Sequence, residues 1–232
     1  MSRIEHKLLS LVMGIMLIVS MFFVGKEAAE YVNGSNVKNM ERCVVIDAGH
    51  GGDDPGKIGI NDALEKEINL QIAFRVKEYL EQNDIRVIMT RETDEGLYDR
   101  NVSNKKVQDM KRRLEIIDKA SPEVTVSIHQ NSYPEESIHG AQVFYYNGSV
   151  EGQKIAQKIQ EQFIKKVDGE NKRQIKANDS YYLLKKTATP IVIVECGFLS
   201  NYQEAENLCK EEYQEKVAWA ICMGIMQYLN NK

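Results

Sequence analysis

The sequence predicts an α/β protein: a three-layer, mostly parallel sheet of six strands with helices on both faces, preceded by an N-terminal membrane segment. Three observations predict it. Short β-branched runs alternate with helix-length amphipathic stretches, the order that strand–helix–strand units require. The strand runs are almost continuously apolar, as in Ile191-Val192-Ile193-Val194, which suits strands covered on both faces. A chain of 232 residues is also long enough to bury one substantial core. No internal repeat or low-complexity stretch interrupts the alternation.

The elements follow in order. Arg3 and Lys7 precede an uncharged run over residues 8–25, and Lys26, Glu27 and Glu30 come after it. A run of this length falls slightly short of the roughly 20 residues that span a bilayer core and exceeds a signal-peptide core. It reads as an uncleaved anchor in preference to a cleaved signal, with the body of the protein outside the cytoplasmic membrane. Residues 26–42, with Asn33-Gly34-Ser35-Asn36, read as a linker. The remaining domain, 43–232, opens with a strand at 44–47. A helix at 67–81 follows, with Ile68, Ile72, Val76 and Leu80 on one face. Next come a strand at 86–90, a helix at 107–120 ending before Ser121-Pro122, and strands at 124–129 and 141–146. Residues 150–167 form a helix that aligns Ile155, Ile159 and Phe163, and strands are expected at 181–184 and 191–195. The last helix, 212–229, has the cleanest spacing, through Val217, Ala220, Ile221, Gly224, Ile225, Tyr228 and Leu229.

Composition excludes some classes. The net charge is −4 and no arginine-rich block or basic–aromatic interleaving occurs, so nucleic acid is not an expected partner. Cys43, Cys196, Cys209 and Cys222 lack a metal-binding spacing and read as buried free thiols.

Four residues carry chemistry. His50 follows the first strand and opens the loop His50-Gly51-Gly52-Asp53-Asp54-Pro55-Gly56, which contains no phosphate-binding pattern. His129 ends the third strand. In an α/β sheet, residues past the carboxyl ends of parallel strands gather on one edge. Alone, each histidine reads equally as a loop residue or a ligand. Together they favour a shared metal, and zinc fits two imidazoles and a carboxylate with a position left open. Glu195 follows directly on Ile191-Val192-Ile193-Val194; burial there would raise its pKa and suit it to proton transfer. The bland alternative is an ion pair with Arg91 or Arg113. Glu65, read from its surroundings alone, is an acidic residue favouring a helix N-terminus. His139 reads as an exposed loop histidine.

These residues lie within longer motifs: Val45-Ile46-Asp47-Ala48-Gly49-His50-Gly51-Gly52, Asp54-Pro55-Gly56, Glu65-Lys66-Glu67-Ile68-Asn69-Leu70, Thr90-Arg91-Glu92-Thr93-Asp94, Ser127-Ile128-His129 and Pro190-Ile191-Val192-Ile193-Val194-Glu195-Cys196-Gly197-Phe198-Leu199-Ser200-Asn201. In this order, from Cys43 to about Leu229, they resemble the zinc-dependent N-acetylmuramoyl-L-alanine amidases, the type-3 amidase family that cuts bacterial peptidoglycan. The resemblance implies a zinc-exopeptidase-like fold, Zn²⁺ held by His50, Glu65 and His129, and Glu195 as the catalytic glutamate. It therefore overrides the capping reading of Glu65. Arg113 stands where family members often carry an arginine and is expected to bind substrate. Asp118 and Gln130 replace the family's more usual asparagine and alanine. The bare catalytic domain after an anchor is similar to the family's sporulation amidases. That likeness implies peptidoglycan as substrate, with stem peptides removed so that muramic lactam forms in spore cortex for germination. It further implies a site of action in the forespore envelope and admits an accessory sporulation protein as a partner. A vegetative autolysin, a zinc peptidase acting on wall peptides and a non-catalytic wall-binding protein are the alternatives.

Overall fold

The computed structural model describes residues 12–22, 25–26 and 42–231. The chain divides into two units, Met1–Met40 and Glu41–Lys232. In the first, residues 12–22 and 25–26 are helical. Among the described residues, no helix is long and apolar enough to cross a membrane. The rest of the expected membrane segment, and residues 27–41 of the expected linker, lie outside the described residues.

The strands of the second unit are β1 (Cys43–Ala48), β2 (Arg86–Met89), β3 (Val124–Asn131), β4 (Gln142–Tyr146), β5 (Lys176–Asn178) and β6 (Ile191–Phe198). Its helices are α1 (Glu65–Glu81), α2 (Lys105–Ala120), α3 (Val150–Lys166), α4 (Tyr182–Lys186), α5 (Tyr202–Leu208) and α6 (Glu211–Asn230). The strands form one sheet in the order β2-β1-β3-β6-β4-β5. All neighbours are parallel except β4 and β6. The chain leaves β1 toward β2 and then crosses back to β3 on the other side of β1. Such a reversal opens a crevice at the carboxyl ends of the strands.

Side-chain alternation along the strands decides which residues meet. On one face Val44, Ile46, Ile128, Val192 and Val194 pack under α1, α3 and α6. On the other, Val45, Ile191 and Ile193 meet Ile117 of α2 and Leu183 and Leu184 of α4. Each fully buried Val or Ile of this kind stabilises the fold by about 1.5–3 kcal/mol relative to exposure. The second face also carries Asp47 and Glu195, two residues beyond Val45 and Ile193 on their strands, together with Ser127 and His129 of β3. The α3–α6 crossing is close, because a Cβ on Gly224 would lie 2.6 Å from the Cα of Ile159.

Local chemistry sets the helix ends. Asn104 caps α2 by accepting from the Val107 amide at 3.1 Å, and Ser149 caps α3 by accepting from Gly152 at 3.0 Å. The helix α2 stops at Ser121, whose φ of 44° is left-handed, immediately before Pro122. The strand expected over 181–184 is absent: Tyr182–Lys186 form α4, and the fifth strand is Lys176–Asn178 instead. Tyr181-Tyr182-Leu183-Leu184 is too short an apolar run for periodicity to separate strand from helix. The true edge strand, Lys-Ala-Asn, carries no apolar signal. Cys43, Cys196 and Cys222 are buried as expected, whereas Cys209 is exposed.

Candidate active site

The site is assembled where β1, β3 and β6 end. His50 follows β1 with a φ of 63°, a backbone state uncommon for a residue other than glycine. Its imidazole is aimed by Asp54, whose carboxylate lies 2.9 Å from Nδ1. His129 lies in β3 as the register partner of Glu195 in β6, and the pairing shifts between His129 and Asn131. A bulge of this kind re-aims side chains at a strand end. The His129 ring lies against Gly49, where any Cβ would collide with it.

Glu65, the first residue of α1, reaches into the same space and is only 2 % exposed. Its Oε1 lies 3.2 Å from His50 Nε2 and 3.0 Å from His129 Nδ1. Backbone amides fix the carboxylate: Lys57 donates to Oε2 at 2.7 Å and Gln130 to Oε1 at 3.1 Å. The Asn69 side chain adds a bond of 3.4 Å to Oε1. Burial alone would raise the Glu65 pKa, but hydrogen bonds and charge from His129 and His50 hold it well below the usual carboxylate range. For His50 the balance runs the other way: burial lowers its pKa, and Glu65 and Asp54 more than offset this, raising it.

One ligand atom from each of His50, Glu65 and His129 lies within 4.8 Å of the others. Two imidazoles and a buried carboxylate converging this closely form a donor set that could hold a metal ion. Glu195 stands beside them, 7 % exposed. Its Oε1 accepts from the Tyr181 hydroxyl at 3.4 Å, and its Oε2 has no hydrogen-bond partner among the described residues. Burial, reinforced by the charge of Glu65, pushes the Glu195 pKa up to about 7 against the opposing effects of His129, Tyr181 and His50. An unpaired buried oxygen is costly, and here it belongs to a group able to exchange a proton near neutrality. His50, His129, Tyr181, Tyr98 and Lys105 border a cavity of about 590 Å³.

Arg113 also borders this cavity, but its guanidinium is bonded to the protein itself. It is 1 % exposed. Its Nε donates to Asp109 at 2.5 Å, its Nη1 to Asp47 and to the Ala48 carbonyl at 2.7 Å, and its Nη2 to the His50 carbonyl at 2.6 Å. The guanidinium expected to meet substrate thus ties the end of β1 to α2. Arg91 likewise donates to the carbonyls of Ala48, Gly49, Lys66 and Thr93. Neither arginine pairs with Glu195, which removes the ion-pair alternative for that residue.

Sequence reasoning passed over Asp54, Asn69 and Tyr181. Asn69 was open to discovery, since it lies four residues after Glu65 on one helix face. Asp54 carried only the weaker signal of its place in the glycine-rich loop. Tyr181 was hidden by the misplaced strand.

The fold and the site together define a class: a hydrolase whose polar centre sits at the carboxyl edge of a mostly parallel sheet. The chain belongs to the N-acetylmuramoyl-L-alanine amidase family, which it matches over residues 44–227; it is an enzyme of peptidoglycan amide hydrolysis. It is 38 % identical over 194 residues to the germination-specific N-acetylmuramoyl-L-alanine amidase of Bacillus subtilis (strain 168), covering 82 % of this chain and 81 % of that protein. The CwlD amidase of Clostridioides difficile, solved in complex with the GerS lipoprotein, is 40 % identical with a TM-score of 0.80, over 82 % of this chain and all 100 % of that one. The catalytic domain of CwlV from Bacillus (Paenibacillus) polymyxa var. colistinus is 32 % identical with a TM-score of 0.72, over 82 % and 99 % of the two chains.

Proposed function

We propose that this amidase is zinc-dependent, that His50, Glu65 and His129 hold the metal, and that Glu195 moves the proton during hydrolysis of the bond between muramic acid and L-alanine. The observation that carries the reading is the convergence of three metal-binding atoms beside a buried carboxylate with one oxygen unpaired. When bound, zinc supplies Lewis acidity that brings the pKa of a water to about 7 and polarises a carbonyl. Glu195 accepts a proton from the attacking water as the water oxygen bonds to the lactyl carbonyl carbon. As the carbon–nitrogen bond breaks, Glu195 returns that proton to the leaving amine of L-alanine. Asp54 orients His50, and the amides of Lys57 and Gln130 orient Glu65. Arg113 acts on substrate binding by fixing the His50 loop from behind.

The proposed substrate is spore-cortex peptidoglycan, where loss of the stem peptide lets muramic lactam form. The germination-specific relative supports this assignment. The proposed place of action is outside the cytoplasmic membrane, on the forespore envelope side, with the N-terminal segment as anchor or secretion signal. An accessory lipoprotein is proposed as partner, because the Clostridioides difficile neighbour was solved with one. Digestion of purified spore cortex and of vegetative wall by the zinc-loaded full chain, followed by mass analysis, tests the function. Free peptides beginning at L-alanine, released preferentially from cortex, are expected. Equal release from both walls would remove the cortex assignment, and intact stems in both, with the accessory lipoprotein added, would remove the amidase mechanism.

A further inference from the structure

We infer that Tyr181 is a positioning residue for Glu195: its hydroxyl fixes one carboxylate oxygen and leaves the other free for the reacting atoms. The inference rests on the proposed proton-transfer role of Glu195. Among the described residues, Tyr181 is the hydrogen-bond partner of Oε1 at 3.4 Å, and Oε2 has none. Among the described residues, that phenol is the one hydrogen-bond donor that meets this buried carboxylate. The bond is long, as catalytic hydrogen bonds often are before substrate binds.

The phenol is itself held in place. Asn178 at the end of β5 accepts through Oδ1 from the amides of Ser180 at 2.8 Å and Tyr181 at 2.9 Å, and from the Ser180 hydroxyl at 3.0 Å. This asparagine turn brings the chain from the sheet's far edge back across β4. The Tyr181 ring meets Phe144 edge-on, with centroids 5.6 Å apart and planes at 80°. Phe144 is the register partner of Ile193, two residues before Glu195 on the same strand face. Tyr181 and Glu195 are thus mounted on one rigid block, the arrangement that keeps a reactive group in a single geometry. Tyr181 also lines the cavity shared with His50 and His129.

The test uses the zinc-loaded full chain and muropeptide substrate. Tyr181→Phe keeps the ring contact with Phe144 and removes only the hydroxyl. Its kcat should fall about 10- to 100-fold, with KM, zinc content and Tm unchanged. In a Glu195→Gln background the same substitution should have no further effect, because its action runs through the lost carboxylate. A Tyr181→Phe enzyme with wild-type kcat overturns the inference, as does an equal loss in the Glu195→Gln background. Full activity of Glu195→Gln would instead overturn the proton-transfer role itself. A crystal structure of Tyr181→Phe supplies a readout independent of turnover: the Glu195 carboxylate should rotate or split into two conformers, and an unmoved single conformer refutes the inference.

Discussion

Replacing Arg113 by methionine should make the protein far easier to unfold, without acting mainly on substrate affinity. The substitution keeps much of the aliphatic stem and deletes every guanidinium bond. Asp47, 1 % exposed, then loses its cation. The Asp109 carboxylate and the His50 carbonyl lose the same donor, whereas Ala48 retains a bond from Arg91 at 2.9 Å. Breaking a buried pair by removing one partner costs about 3–5 kcal/mol. With a urea dependence of about 2 kcal/mol per molar, the unfolding midpoint should drop by about 2 M. Far-UV circular dichroism and fluorescence of the single Trp219 would follow the transition. Adding Asp47→Asn should recover part of the loss, because the orphaned charge is then gone.

The same variant carries a pH signature with a definite sign. Burial raises the Asp47 pKa, but Arg113 and the hydrogen bonds from Ser127 and Thr90 prevail and hold it at about 2. A depressed carboxylate contributes stability above its unfolded pKa of about 4 and loses it as pH falls through about 2. Without Arg113 the largest of the lowering influences is gone, so the folded-state pKa of Asp47 rises and protonation costs the variant less than it costs wild type. The deficit of Arg113→Met relative to wild type should therefore shrink as pH falls from about 5 to about 2. A midpoint within about 0.3 M of wild type, accompanied by a raised KM, would refute this reasoning and return Arg113 to direct substrate binding.

Three further outcomes follow from the site. Glu195→Ala should keep its zinc and lose about 10²- to 10⁴-fold in rate; near-normal turnover on muropeptide would show that another group moves the proton. His129→Ala should empty the metal site, and undiminished zinc by elemental analysis would contradict the proposed ligand set. Gly56→Ala places a Cβ 2.5 Å from Glu65 Oε2 and 2.8 Å from His50 Cδ2, at a φ of 71°. It should destabilise the fold by more than about 1 kcal/mol and reduce zinc content, whereas an unchanged Tm and zinc content would mean that the loop yields freely.

Much of this protein was legible before folding was considered. The strands β1, β3 and β6, and the helices α1 and α6, announce themselves through continuous apolar runs or helical spacing. His50, His129 and Glu195 were visible as polar residues in or directly after such runs. Glu65 was not, because a glutamate opening a helix has an ordinary electrostatic explanation; motif resemblance was needed to select it. The β5–α4 segment was misplaced because a three-residue edge strand buries almost nothing and so leaves no pattern.

By itself, then, the sequence determined the alternating α/β layering and pointed to three of the four candidate site residues, since periodicity and strand ends are local properties of the chain. The tertiary structure decided what long-range packing decides. It brought Glu65 from α1 against two histidines 15 and 64 residues away in sequence, and turned Arg113 inward to Asp47 and Asp109. It also returned Tyr181 from the sheet's edge to Glu195. A carboxylate, a guanidinium and a phenol each have several satisfactory local environments. Only the burial and hydrogen-bond partners supplied by distant segments choose among them.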